Sequence, residues 1–278
     1  MFHVKPRRHR EDCGARRAAP GVRSVGTRRR VTGPDVERPR VGRAGLHGGL
    51  SRQVEPDAGV CVSRADDPAV ADFLGVSLPT ISRFAELLAD QGVLRGLIGP
   101  REVPILWERH LLNSASIVPY LPESGRVIDV GSGAGLPGIV IAAMRPTLEV
   151  VLVESMDRRT IWLHDVVSEL GLTNVEILRA RAEDLHGSLQ GDVVTARAVA
   201  PLDRLVQWAL PLLRAGGQLL AIKGQAAPAE VEKAAKQIRA LGGGRAEVLR
   251  AATVKGVDET TIVRIVRETV RESRRRGS

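Results

Sequence analysis

The sequence predicts an α/β fold. A mostly parallel sheet carries helices on both faces, ends in a C-terminal antiparallel hairpin and follows an N-terminal helical cap. Three observations carry that prediction. The apolar run Val127-Ile128-Asp129-Val130 breaks into glycines at 131, 133, 135 and 138, and an apolar helix pattern starts at Ile139. That is the strand, tight turn and helix that open a nucleotide-binding α/β unit. Beyond it, strand-like and helix-like runs alternate, which implies parallel strands joined by right-handed crossovers. The last two strand-like runs have no helix between them, so the final edge of the sheet is expected to be antiparallel.

Residues 1–65 are expected to be a basic, disordered extension. They are rich in Arg, Gly and Pro and show neither helical nor strand periodicity. Residues 1–55 hold 14 Lys or Arg against 5 acids, whereas residues 56–278 hold 27 of each sign, so the whole net charge of +9 belongs to the first segment. The folded part is formally neutral, and any nucleic-acid footprint on it must be a local patch of cations. The extension itself is read as incidental, such as translation from an upstream start, in preference to a phosphate-gripping arm.

The cap is expected over 66–122. Asp67-Pro68 opens a helix carrying Val70, Phe73 and Leu74, and Pro79 opens a second with Ile81, Phe84, Leu87 and Leu88. Gly99-Pro100 opens a third that passes through Leu106, Trp107, His110, Leu111 and Ser114 towards Val118. The sheet domain is expected over 123–270. After the glycine turn, strands are predicted at 149–153, 175–178, 192–196 and 217–222, then 246–254 and 260–266. Helices are predicted at 157–170, 201–213 and 228–241. Residues 271–278 read as a charged, solvated tail.

Hydrophobic residues make up 43% of the chain and aromatics 3%, so the core is aliphatic. No apolar run is long enough to span a bilayer. The two cysteines, Cys13 and Cys61, form neither a metal cluster nor a disulfide framework. With no secretory signal at the N-terminus, a reducing, cytoplasmic setting is expected, with no membrane and no metal.

Two ligand classes use such a glycine turn. From Gly133 it reads Gly-x-Gly-x-x-Gly, the dinucleotide fingerprint, and an NAD-dependent oxidoreductase is the alternative reading. From Asp129 it reads Asp-x-Gly-x-Gly-x-Gly, the pattern of S-adenosylmethionine (AdoMet) enzymes. The register favours AdoMet. A carboxylate at Asp129 suits a sulfonium or amino group and would repel a pyrophosphate. An oxidoreductase also needs a proton donor, and the only tyrosine, Tyr120, precedes the domain. The candidate cofactor-binding residues are therefore Asp129, Gly131, Ser132, Gly133, Gly135, Leu136 and Pro137.

Glu154 ends the second strand, where a carboxylate can accept ribose hydroxyls. Ala182 and Glu183 follow the third strand, where the adenine edge is expected. Arg197, at the end of the fourth strand, and Lys223, at the end of the fifth, are expected to position the acceptor, with Arg197 also near the cofactor. Arg158, Arg159 and Arg181 complete the candidate RNA-binding cations, together with Lys223. His110 reads as a satisfied helix histidine.

Several stretches together resemble the 16S rRNA guanine-N7 methyltransferases of the RsmG or GidB family. They are Gly99-Pro100-Arg101-Glu102, the run from Trp107 to Ser114, the glycine turn with its Leu136-Pro137-Gly138, Ala182-Glu183-Asp184, Arg197-Ala198-Val199-Ala200 and Ala221-Ile222-Lys223-Gly224. The resemblance runs from about residue 68 to 267, with Ala196 where the family usually has Ser. It implies a Rossmann-like class I methyltransferase sheet. It also implies methyl transfer from AdoMet to N7 of a guanine in the decoding region of 16S rRNA, on the small ribosomal subunit, a mark whose loss is linked to low-level streptomycin resistance. Guanine N7 carries a lone pair and no proton, so no general base is expected.

Overall fold

The computed structural model describes residues 64–269. The extension expected over 1–65 lies outside the described residues except for its last two positions, and so does the tail expected at 271–278.

Asp67 accepts a hydrogen bond from the Ala69 N–H at 3.0 Å and caps α1 (Pro68–Leu74), with Pro68 in the first turn where its missing N–H costs nothing. Helix α2 (Leu78–Leu87) buries Ile81, Phe84 and Ala85. The third expected helix is a run of changing pitch. A 3₁₀ segment (Pro100–Ile105) leads into a π-helical turn (Trp107–Leu112), then a short α3 (Asn113–Ala115) and a second 3₁₀ turn (Val118–Tyr120). Pro104 inside the first segment has no N–H to donate and clashes with a regular α ladder, which explains the broken pitch.

Seven strands follow in the order β3-β2-β1-β4-β5-β7-β6. Strands β1 (Gly125–Val130), β2 (Leu148–Glu154), β3 (Val175–Arg179), β4 (Gly191–Arg197) and β5 (Leu213–Lys223) are parallel. Strand β7 (Thr260–Val266) runs antiparallel between β5 and β6 (Glu247–Ala251). The expected fold class is observed. Strand β5 starts four residues before its expected position. The Gly216-Gly217 pair forms a bulge inside the strand, where the register against β4 shifts between Gly191 and Val193. Strand β6 ends at Ala251, three residues short of the expectation.

Strand parity sorts the core. Val127, Val150, Leu152 and Val193 face the cap, α4 (Gly138–Met144) and α5 (Asp157–Glu169). Ile128, Val151, Val153 and Val194 face α6 (Leu202–Ala209) and α7 (Ala227–Ala240). The order reverses between β1 and β4, so the crevice outside their carboxyl ends is where an open α/β sheet binds its ligand.

Candidate functional site

The glycine turn fills that crevice and is tied on three sides. The Gly131 and Ser132 N–H groups donate to the Val153 carbonyl at the end of β2, at 2.8 and 3.2 Å. The Trp162 indole of α5 donates to the Ala134 carbonyl at 3.0 Å, and the Gly138 N–H donates to Asp129 Oδ2 at 3.1 Å. Gly131, Gly133 and Gly135 all have positive φ, a conformation that strains any residue with a Cβ. At Gly131 a Cβ would sit 2.9 Å from both Val199 methyl groups. At Gly133 the nearest protein atom would be 3.7 Å away, and the added carbon would enter a cavity.

That cavity, about 470 Å³, is lined by the turn residues Gly131–Ala134 and Leu136, by Glu154 and Arg159, by Leu97, Ile98, Glu102 and His110 of the cap, and by Arg197–Val199. Glu154 is buried, and its carboxylate accepts the Gly133 N–H at 3.0 Å and the Met156 N–H at 2.8 Å. Each oxygen keeps a lone pair for a further donor. A second cavity, an open groove of about 1270 Å³, lies against the first and shares Arg197, Ala198 and Val199 as a common wall. Arg109, Lys223 and Arg250 line it along with Glu108, Glu230 and Asp258.

Asp129 stands elsewhere than expected. Its parity is that of Val127, so it points beneath α4, and it is fully buried and absent from the cavity wall. Oδ1 has no hydrogen-bond partner. Burial pushes its pKa up to about 7, against the opposing pull of the Gly138 N–H, the Ser132 hydroxyl and Arg197. In this structure it is a strut beneath the turn. Gly135 also faces inward, where an added Cβ would meet Ile139, Leu163 and Phe84.

Ala182 is buried in the core on the α6 side, Glu183 is exposed, and neither reaches the cavity, nor does Pro137. Arg158 and Arg181 are exposed and outside both cavities, whereas Arg159 sits in the first, 3.6 Å from Glu154. Lys223 lines the groove, but its ammonium is tied to Glu230 at 2.8 Å and the Ala200 carbonyl at 2.6 Å.

Sequence reasoning passed over Glu102 and undervalued His110. Arg197 Nη1 donates to His110 Nδ1 at 2.9 Å and to the Arg109 carbonyl at 3.2 Å, and His110 Nε2 lies 2.6 Å from Glu102 Oε2. Burial lowers the Arg197 pKa to about 10, against Asp129 and Glu102, so it is a cation at neutral pH. Burial, then the Arg197 charge, lowers the His110 pKa below its ordinary value. The available signal was that Glu102 and His110 both fall within the stretches that carry the family resemblance. Arg109 lies in the same stretch as His110, whereas the groove cation Arg250 had no such signal.

The family model described as rRNA small subunit methyltransferase G, GidB, matches residues 77–257. The chain belongs to the GidB family. A ribosomal RNA small subunit methyltransferase G of Thermobifida fusca is 52% identical over 205 residues, covering 74% of this chain and 86% of that relative. One of Pseudarthrobacter chlorophenolicus is 49% identical over 207 residues, covering 74% and 96%. Among solved structures, a SAM-dependent O-methyltransferase of Thermotoga maritima aligns with a TM-score of 0.47 and 18% identity, over 58% of this chain and 66% of that one.

As a GidB-family member the chain is a methyltransferase acting on small-subunit rRNA, and AdoMet is its cofactor. The oxidoreductase reading has no support. Among the described residues no group of three or more His, Cys, Asp or Glu could hold a metal, and no helix is long and apolar enough to cross a membrane.

Proposed function

We propose that this methyltransferase modifies N7 of one guanine in the decoding region of 16S rRNA, with the small ribosomal subunit as its substrate. The cavity suits the cofactor. Gly133 leaves a space that any side chain would fill, and Glu154 offers free lone pairs beside it. Glu154, the Gly131–Gly133 backbone and Leu136 would hold AdoMet, with Arg159 at the rim. When bound, AdoMet supplies an electrophilic methyl group on a sulfonium.

The observation that carries the N7 reading is the wall between the cavities. Arg197, Ala198 and Val199 contain no side chain able to take a proton at neutral pH. An exocyclic amine or a ribose hydroxyl must shed a proton when methylated, whereas guanine N7 attacks through a lone pair and sheds none. Catalysis then rests on orienting the base. Arg197, facing both cavities, meets the acceptor nucleotide through a guanidinium shaped for a guanine O6 or a phosphate. The groove carries the flanking strand past Arg109 and Arg250.

The test is tritium transfer from labelled AdoMet to small subunits lacking the mark, followed by nucleoside chromatography and by borohydride–aniline cleavage, which cuts at N7-methylguanosine. A single cleavage in the decoding region is expected from the wild type. Arg197→Ala should slow single-turnover transfer about a hundredfold while AdoMet affinity stays within a few-fold, the loss of one charged donor at a buried site. Label on another base atom would overturn the N7 reading. Arg197→Ala transferring normally would overturn the role of Arg197.

A further inference from the structure

We propose that Glu102 and His110 form a positioning relay that holds the Arg197 guanidinium at the wall between the two cavities, and that their part in methyl transfer runs through Arg197. The inference rests on the reading that Arg197 meets the acceptor nucleotide. The three residues come from separate elements: Glu102 from the 3₁₀ segment Pro100–Ile105, His110 from the π-helical turn Trp107–Leu112, and Arg197 from the end of β4. Their contacts of 2.6 and 2.9 Å form one continuous chain across them.

The chain fixes a tautomer. A guanidinium only donates, so His110 Nδ1 must present a lone pair to Arg197. The ring proton then sits on Nε2 and is donated to the Glu102 carboxylate. A single arrangement of protons satisfies both bonds. Both hydrogen bonds of Arg197 go through Nη1, so the donors of Nη2 and Nε are not spent on them.

Protonation of His110 would break the relay, because an Nδ1–H would then face the Arg197 N–H. The charged groups around the ring are Glu102, Arg197 and Arg109, and Asp129 acts on Arg197 from behind. Burial and Arg197 favour the neutral ring, while Glu102 opposes them. The side chain of His110 is only 13% exposed, against 40% for Glu102, so the imidazole is the protected middle of the chain and Glu102 is its solvent-side anchor.

Single-turnover methyl transfer to unmodified small subunits, with AdoMet affinity and thermal melting measured on each variant, tests the relay. His110→Asn keeps an oxygen where Nδ1 stands but loses the contact with Glu102, and should transfer more slowly than the wild type and faster than His110→Gln. His110→Gln keeps a donor towards Glu102 but offers Arg197 no acceptor, and should slow transfer by about tenfold or more with AdoMet affinity unchanged. The double variant His110→Gln/Arg197→Ala should be no slower than Arg197→Ala alone, because residues acting in one chain are not additive.

A His110→Gln variant at the wild-type rate, or a double variant with additive losses, would overturn the relay. Arg197→Ala transferring normally would instead overturn the reading beneath it, so the two failures are distinguishable. Should His110→Gln fail to fold, Glu102→Gln decides through the pH profile. The wild-type rate should fall as pH drops through the lowered His110 pKa. Removing the carboxylate that favours imidazolium should move that limb to lower pH, and an unmoved limb would overturn the proposal.

Discussion

Replacing Asp129 by Asn should remove a pH dependence that the wild-type folding stability carries. The Asp129 carboxyl is fully buried, and burial raises its pKa to about 7 although the Gly138 N–H, the Ser132 hydroxyl and Arg197 all favour the ionised form. In the unfolded chain the same group titrates near ~3.9. Between those values the folded state binds the extra proton, so the stability from Asp129 is full below about pH 4 and is lost as pH rises towards 7. A gap of about three units corresponds to ~4 kcal/mol over the whole window, of which roughly 2 kcal/mol falls between pH 5 and 7.5. Asn can still accept the Gly138 N–H and never ionises. The assay is urea unfolding of the cofactor-free protein at several pH values from 5 to 7.5, plotted as wild type minus Asp129→Asn so that the other titrating groups cancel. The difference should fall by roughly 2 kcal/mol across that range. A flat difference would refute the raised pKa. A rising one would mean that Arg197 outweighs burial and that Asp129 is ionised in the folded state.

Two further outcomes are expected. Gly133→Val should abolish AdoMet binding in calorimetry while the domain stays folded by circular dichroism. The new side chain enters the cavity and meets no protein atom closer than 3.7 Å at its Cβ, and the backbone strain of a positive φ costs only about 1–2 kcal/mol; unchanged affinity would remove the cofactor from this turn. Lys223→Met should lower thermal stability by about 2 kcal/mol, because it strands the Glu230 carboxylate, which also accepts the Leu202 N–H at 2.7 Å, and releases the Ala200 carbonyl. A variant as stable as the wild type, with methylation alone impaired, would make Lys223 an RNA contact.

The sheet was legible because short continuous apolar runs and glycine punctuation are local properties of the chain. Strand β7 falls at the residues expected, and β2 and β4 end at Glu154 and Arg197, where their ligand-facing residues were sought. Where the reading slipped, the deciding term was not local. Gly217 reads as the start of the fifth strand, but backbone bonds of Gly216 and Gly217 to Arg267 carry β5 back through a bulge to Leu213. Asp129 was placed at the right strand end, but its side-chain direction depends on which face α4 covers. Ala182 was placed after the right strand, yet its burial is decided by the α6 side of the sheet. Glu102, His110 and Arg197 lie as many as 95 positions apart in the chain, and no spacing rule joins them. Only the packing of the cap against β4 does.

The same contacts explain how a formally neutral domain can keep a charged guanidinium available at the wall between the cavities. Many of its cations are cancelled where they stand: Arg126 by Glu149, Arg95 by Asp165, Arg83 by Glu86 and Glu169, and Lys223 by Glu230. Such pairs fix side chains but leave little charge for an incoming phosphate. Arg197 is held differently, by an imidazole nitrogen and a backbone carbonyl, and Arg250 in the same groove donates to the Thr261 hydroxyl at 2.9 Å. Neutral acceptors orient a guanidinium without neutralising it. A carboxylate in the place of His110 would bind Arg197 more tightly and would compete with the nucleotide for its charge. Glu102 acts on Arg197 from one ring further away, where it steadies the imidazole and only partly offsets the cost of burying the cation. In this arrangement rigidity and free charge, which a direct ion pair would trade against each other, coexist at the one charged side chain that, among the described residues, lines both cavities.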